Sequence, residues 1–217
     1  MPETTMHPLT TLVVILALTC CAAARPTLSA QEARLASDTG IPADIAAKAR
    51  VHGSSLERLV GMTTDFEEKP VMGLELNTAP AKGREKLRAL RAQLAGTGYA
   101  AYLHDDRFGQ GPDKIAIIKG GDEDYLAIVR TDGINYDLDH PRVMARYRQW
   151  KKQYGLKLRG AGHDWLEAEF VKPPRDWKQF AEEVYAFCPD VVDQGIGTAE
   201  ALATEMQKSG TVYLWWD

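Results

Sequence analysis

The stretch from His163 to Val171 alternates residue by residue, and it constrains the fold more than any other part of the chain. Leu166, Ala168 and Phe170 fall on one side, and His163, Trp165, Glu167 and Glu169 on the other. That is the period-two rhythm of a half-buried strand. Pro173 and Pro174 stop it, because proline brings no donor to a sheet ladder. A helix then starts at Asp176, with Gln179 as its capping-box partner and Trp177, Phe180, Ala181, Val184 and Cys188 as one apolar stripe. Pro189 ends it. After a turn-rich link, Asp190 to Gly197, a second helix takes Thr198 as N-cap and Glu200 in its first turn. It turns Leu202, Ala203 and Met206 to the core and closes at Gly210. Thr211 to Trp216 is rich in strand formers, so the whole unit reads β-α-α-β.

Upstream, Val71 to Leu76 reads as a strand, a helix opened by Pro80 carries Leu87, Leu90 and Leu94 on one face, and Tyr99 to His104 reads as a second strand. Lys114 to Lys119 and Tyr125 to Arg130 read as the two strands of a hairpin joined through Gly120-Gly-Asp-Glu-Asp124. Thr131 to His140 is turn-rich, and Pro141 opens a helix with Val143, Tyr147, Trp150 and Tyr154 on one stripe. The order β-α-β-β-β-α-β, then β-α-α-β, predicts an α+β fold: a mixed or antiparallel sheet with helices packed mainly on one face. Residues 25–69 show no continuous apolar face and read as a tether with short helices, one of them capped by Ser54 and Glu57. A single domain is expected over 70–217, within the usual size range.

Leu12 to Leu18 is an apolar run followed by Ala22, Ala23 and Ala24, which reads as a signal peptide over residues 1–24. The run is too short to span a bilayer, which takes about 20 apolar residues. Met1 to Pro8 carries Glu3 and no Lys or Arg, so the usual basic leader is missing, and a hydrophobic helix packed on the domain is the competing reading. Leu18-Thr-Cys-Cys-Ala22 also resembles a bacterial lipobox with Cys21 as lipidation acceptor, the alternative to cleavage after Ala24. The expected location is therefore periplasmic, or lipid-anchored in the cell envelope, with membrane contact only through that anchor. Two of the three cysteines lie in this segment. Cys188 is left alone in the mature chain, and no internal disulfide can form there.

The net charge of −4 is too small to draw a polyanion through bulk electrostatics. Arg142 to Arg159 holds seven basic residues and no acid, but its aromatic residues belong to the apolar stripe, so nucleic acid is not an expected partner. His163, Glu167 and Glu169 share a strand face. Same-side neighbours lie about 6.6 Å apart, so the two carboxylates could embrace a cation or a proton, while His163 is too far from Glu167 to share the ion. The plainer reading is a solvated sheet face. Cys188 is either a nucleophile or a buried structural thiol, and the negative end of its helix favours the second. Asp190, Asp193, Gln194 and the Gly195-Ile-Gly-Thr198 turn suit a cation or a neutral polar ligand, or simply a capped turn. Trp215 and Trp216 point to opposite faces of a strand, one to the core and one toward a groove, with Asp217 beside them.

Ala181-Glu-Glu-Val-Tyr-Ala-Phe-Cys-Pro-Asp190, Gln194-Gly195 and Leu214-Trp-Trp-Asp217 together resemble the bacterial family called domain of unknown function 4253. The likeness covers about residues 110 to 217, including Asn135-Tyr136 and Gly160-Ala161. It implies a domain boundary and no chemistry. The chain has no Walker loop, no paired-cysteine metal motif, no Gly-x-Ser-x-Gly and no His-Glu-x-x-His, and neither cofactor nor metal is expected. The leading expectation is an exported or lipid-anchored module that binds a protein or an envelope component through Asn135, Tyr136, Gln194, Gly195, Trp215, Trp216 and Asp217. The alternative is a hydrolase-like or metal-assisted enzyme using His163, Asp164, Glu167, Asp190 and either Cys188 or Asp217.

Overall fold

The structure is a computed structural model that describes residues 27–217; the expected signal peptide, with Ala24 and the lipidation candidate Cys21, lies outside the described residues. In chain order it contains α1 (Ala30–Asp38), α2 (Ala43–Arg50), β1 (Ser55–Met62), β2 (Glu68–Asn77), α3 (Gly83–Leu94), β3 (Tyr99–Asp105) and β4 (Lys114–Lys119). There follow α4 (Asp122–Val129), α5 (His140–Tyr154), β5 (Lys157–Ala161), β6 (Trp165–Glu169), α6 (Trp177–Phe187), α7 (Ala199–Ser209) and β7 (Thr211–Trp215). The seven strands form one mixed sheet in the order β1-β2-β4-β3-β5-β6-β7. Five neighbouring pairs are antiparallel. The sixth, β3 with β5, is parallel and meets only at Leu103 opposite Gly160. The sheet is thus two antiparallel halves joined along a narrow seam.

The α+β class and the mixed sheet follow the sequence reading. Helix placement does not: both faces are covered, not mainly one. α1, α2 and α3 bury Ala36, Ile45, Ala49, Leu87, Leu90 and Leu94 against Leu56, Leu74, Leu76, Leu103, Ile115 and Ile117. On the opposite face α4 to α7 pack Tyr125, Val143, Trp150, Phe180 and Leu202 against Leu59, Tyr102, Leu158, Leu166, Val212 and Leu214. On the α3 side the buried cluster stops at the seam apart from Trp165, and Lys157 and Tyr213 are exposed there.

Two further expectations are corrected. The described part of the expected tether, residues 27–69, belongs to the domain, since α1 and α2 supply core residues and β1 pairs with β2 along most of its length. Ser54 leads into that strand and Glu57 lies within it, so neither caps a helix. Leu56 and Leu59, three apart, look helical, but they enter opposite clusters from a strand buried on both faces, where strict alternation disappears. Tyr125 to Arg130 is not the second arm of a hairpin either; it lies in α4. The Gly121 amide donates to Asp124 Oδ2 at 2.8 Å, and three acids occupy the first turn, where they favour the positive end of a helix. A six-residue apolar run cannot be assigned by periodicity alone.

Elsewhere local signals agree with the structure. Asp176 and Thr198 cap α6 and α7, accepting from the Gln179 and Ala201 amides at 3.0 and 3.1 Å. Gly155 and Gly210 end α5 and α7 in the left-handed conformation. β6 and β7 pair in full register from Trp165 opposite Trp215 to Glu169 opposite Thr211.

Candidate functional site

Several residues singled out in the sequence converge on Asp190. Its carboxylate accepts from the Tyr136 hydroxyl, from Gln194 Nε2 at 2.8 Å and from the Asp217 amide at 2.9 Å, while Asn135 Nδ2 donates to the Asp217 carbonyl at 2.6 Å. Asp190 is 1% exposed. Burial alone would raise its pKa, but the Tyr136, Asp217 and Gln194 hydrogen bonds outweigh that and hold the carboxyl below the usual range. Trp216 is buried beside this knot, edge-on to Phe187 at 5.8 Å, with Nε1 donating to the Phe187 carbonyl at 3.4 Å. A Cβ on Gly133 would sit 2.7 Å from the Trp216 ring. These groups satisfy one another and offer a ligand no free buried polar atom. Gly195 lies exposed in the short π-helical segment Val191–Ile196, with its chain neighbours Gln194 and Ile196.

Cys188 is fully buried. Its Sγ donates to the Trp215 carbonyl at 2.9 Å and accepts from the Trp215 amide at 3.3 Å. Burial pushes the thiol pKa up to about 12, which leaves almost no thiolate at neutral pH. The side chain of Trp215 is half-buried on the opposite face from Trp216.

Glu167 is not solvated, and the cation it embraces together with Glu169 is the guanidinium of Arg159. Glu167 is 4% exposed and bound by Arg84 of α3 and by Arg159 Nη1 at 3.4 Å; Arg159 Nε reaches Glu169 at 3.2 Å. His163 lies apart from this cluster and from Asp190. Its Nε2 is 3.8 Å from Asp132 Oδ1, and its Nδ1 is buried without a partner among the described residues. Among the described residues no three His, Cys, Asp or Glu side chains come together in a way that could hold a metal ion.

Following Glu167 outward leads to a feature absent from the sequence reading. α3 repeats arginine at 84, 88 and 91, and Lys157 and Arg159 face it from β5 across a cavity of about 430 Å3. Arg84 also meets Asp106 at 3.0 Å, and these carboxylates more than offset the burial that disfavours its charge. Arg91 has no carboxylate partner among the described residues. Its guanidinium donates to carbonyls on both sides of the seam, Ala101 at 2.8 Å and Leu158 at 2.5 Å, and stacks 5.3 Å from the Tyr102 ring centroid. Burial lowers its pKa, yet an arginine stays charged in a protein. Arg88 and Lys157 make no salt bridge among the described residues. The i, i+4, i+7 spacing of the arginines was visible in the sequence, but the groove exists only because β5 lies opposite α3.

The geometry therefore defines an α+β protein with a cationic groove over the seam of its sheet. Residues 114–217 match the family described as Domain of unknown function (DUF4253), so the region of the chain from β4 onward is similar to that family. No curated protein and no solved structure matches the chain.

Proposed function

We propose that the protein is a binding module whose groove between α3 and β5 recognises an anionic group on an envelope component or protein partner. The observation that carries this reading is the uncancelled charge of Arg88, Arg91 and Lys157 on one cavity, in a chain whose net charge is negative. Arg84 and Arg159 are already neutralised by Glu167, Glu169 and Asp106, so they shape the groove while the other three supply attraction. Arg91 is also pre-organised by its carbonyl contacts, which lowers the entropy lost on binding. A phosphate or carboxylate suits such a site, because guanidinium groups donate to both in a planar fork. Export or lipid anchoring through residues 1–24 belongs to the same proposal, since it would put the groove where envelope ligands are.

Calorimetric titration of the protein with inorganic pyrophosphate tests the groove. Binding should be salt-sensitive, and Arg88→Ala combined with Lys157→Ala should weaken it more than tenfold while thermal stability stays unchanged. Equal affinity in the double variant, or no binding by the wild type at low salt, refutes the reading. For the anchor, Cys21→Ser should release the full-length chain from the membrane fraction; unchanged fractionation rules out lipidation at that residue.

A further inference from the structure

A second polar cluster, separate from the groove, lies on the face of the sheet covered by α4. Glu75 is 3% exposed. Its Oε1 accepts from Lys114 Nζ at 2.8 Å, and its Oε2 lies 3.4 Å from His104 Nε2. His104 Nδ1 is 2.8 Å from the Tyr125 hydroxyl, which donates to the Ala161 carbonyl at 2.9 Å.

Counting protons along this row exposes a deficit. A carbonyl only accepts, so the single phenolic proton of Tyr125 is committed to Ala161, and His104 must donate through Nδ1. In the neutral ring Nε2 is then a bare lone pair facing a carboxylate oxygen. Two acceptors cannot satisfy each other, and the contact is favourable only with one proton between them. Burial drives both groups toward their uncharged forms: the Glu75 carboxyl is raised, and His104 is lowered to about 4 by burial and then by Lys114. Glu57 on β1 and Asp105 at the end of β3 raise Glu75 further, and Lys114 on β4 opposes them.

A cleft of about 310 Å3 opens onto these side chains, with Glu68, Asp105, His163 and Trp165 also on its wall. Three carboxyl side chains face a single ammonium there, which disfavours an anion. We propose that Glu75 and His104 share one proton and form an acid–base site for a small neutral or cationic molecule held in this cleft. In the shared form the pair can deliver the proton, and with Glu75 ionised it can receive one. A carboxyl and an imidazole pressed together by burial are the kind of titratable pair that proton transfer requires. No local pattern along the chain marks it, because the participants come from β2, β3, β4 and α4.

The tautomer can be read in the full-length wild type by 15N NMR with labelled histidine. His104 should be protonated at Nδ1, with its Nε2 signal moved from the bare value toward the protonated one, and Glu75→Gln should abolish that displacement. A ring protonated at Nε2 with bare Nδ1 in the wild type overturns the proposal, whether or not the variant folds. Access from the cleft is tested with 5-nitrobenzisoxazole. Glu75 would take its ring C–H proton, that electron pair would complete the nitrile, and the N–O bond would break to leave a phenolate. The rate should rise with pH as Glu75 ionises and fall more than tenfold in Glu75→Gln. Equal rates in the two proteins, or no reaction above buffer with the wild type, would also overturn it.

Discussion

At Asp190 one carboxylate gathers three donors from three parts of the chain, so its contribution depends on staying ionised. Its pKa is held below the ordinary aspartate value of about 3.9. The stabilisation it supplies is therefore complete above that value and is lost as pH falls through the lower, folded-state value. Urea denaturation of wild type and Asp190→Asn should show a difference that is constant near neutrality and narrows in acid; a difference independent of pH would mean that the charge is irrelevant. Cys188 gives a second check, because a buried thiol raised to about 12 should resist iodoacetamide in the native state and react only on unfolding, as peptide mapping of that residue would record. Rapid native labelling would contradict the burial. The sequence identified most members of this knot: Asn135, Tyr136, Asp190, Gln194 and Asp217 were singled out, and they do meet. It did not disclose that they bond to one another, with the Asp190 carboxylate as the shared acceptor. Glu75 and His104 stayed invisible for the opposite reason, since neither has an ionisable partner at a telling distance along the chain.

Among the elements, α4 shows how little separates a helix from a strand in a short apolar run. What fixes it is Asp122 at its first residue, which accepts from Tyr102 at 3.1 Å, Tyr147 at 2.6 Å, Lys151 at 3.0 Å and the Leu158 amide at 3.4 Å. One side chain thus ties α4 to α5, β3 and β5. Burial disfavours its charge, but the Tyr147 and Lys151 contacts prevail and the pKa is lowered. Asp122→Ala leaves the two tyrosine hydroxyls without their acceptor and, because solvent screens the half-exposed Lys151, should cost about 1–3 kcal/mol. A thermal or urea midpoint within experimental error of wild type would remove Asp122 from this role. Long-range partners of this kind cannot be read from helical or strand periodicity. Where burial is one-sided, as in α5, α6 and α7, the pattern sufficed; where a strand is buried on both faces, as in β1, it misled.

For the molecule as a whole, the family match begins at Lys114, the first residue of β4, and that strand is inserted between β2 and β3. A fragment starting at Lys114 would carry β4 with neither neighbour and two rows of unpaired backbone groups, which invites aggregation. It should be insoluble or lack a cooperative melt by circular dichroism, and a monomeric fragment with a sharp transition would show the region to be autonomous. Removing residues 27–69 should be nearly as damaging, because β2 loses β1 and the α1–α2 side of the core opens. The sheet nevertheless has a weak point of its own. Only Leu103 and Gly160 pair across the β3–β5 junction, and the remaining connections there are side chains: Arg91 from one face, Asp122 and Tyr125 from the other. In native-state hydrogen exchange, amides of β5, β6 and β7 should consequently open together, at a lower free energy than those of β2, β3 and β4, behaving as a separate cooperative block. Arg91→Met should widen the gap between the two blocks, so that the guanidinium controls how independently the molecule's two ends breathe.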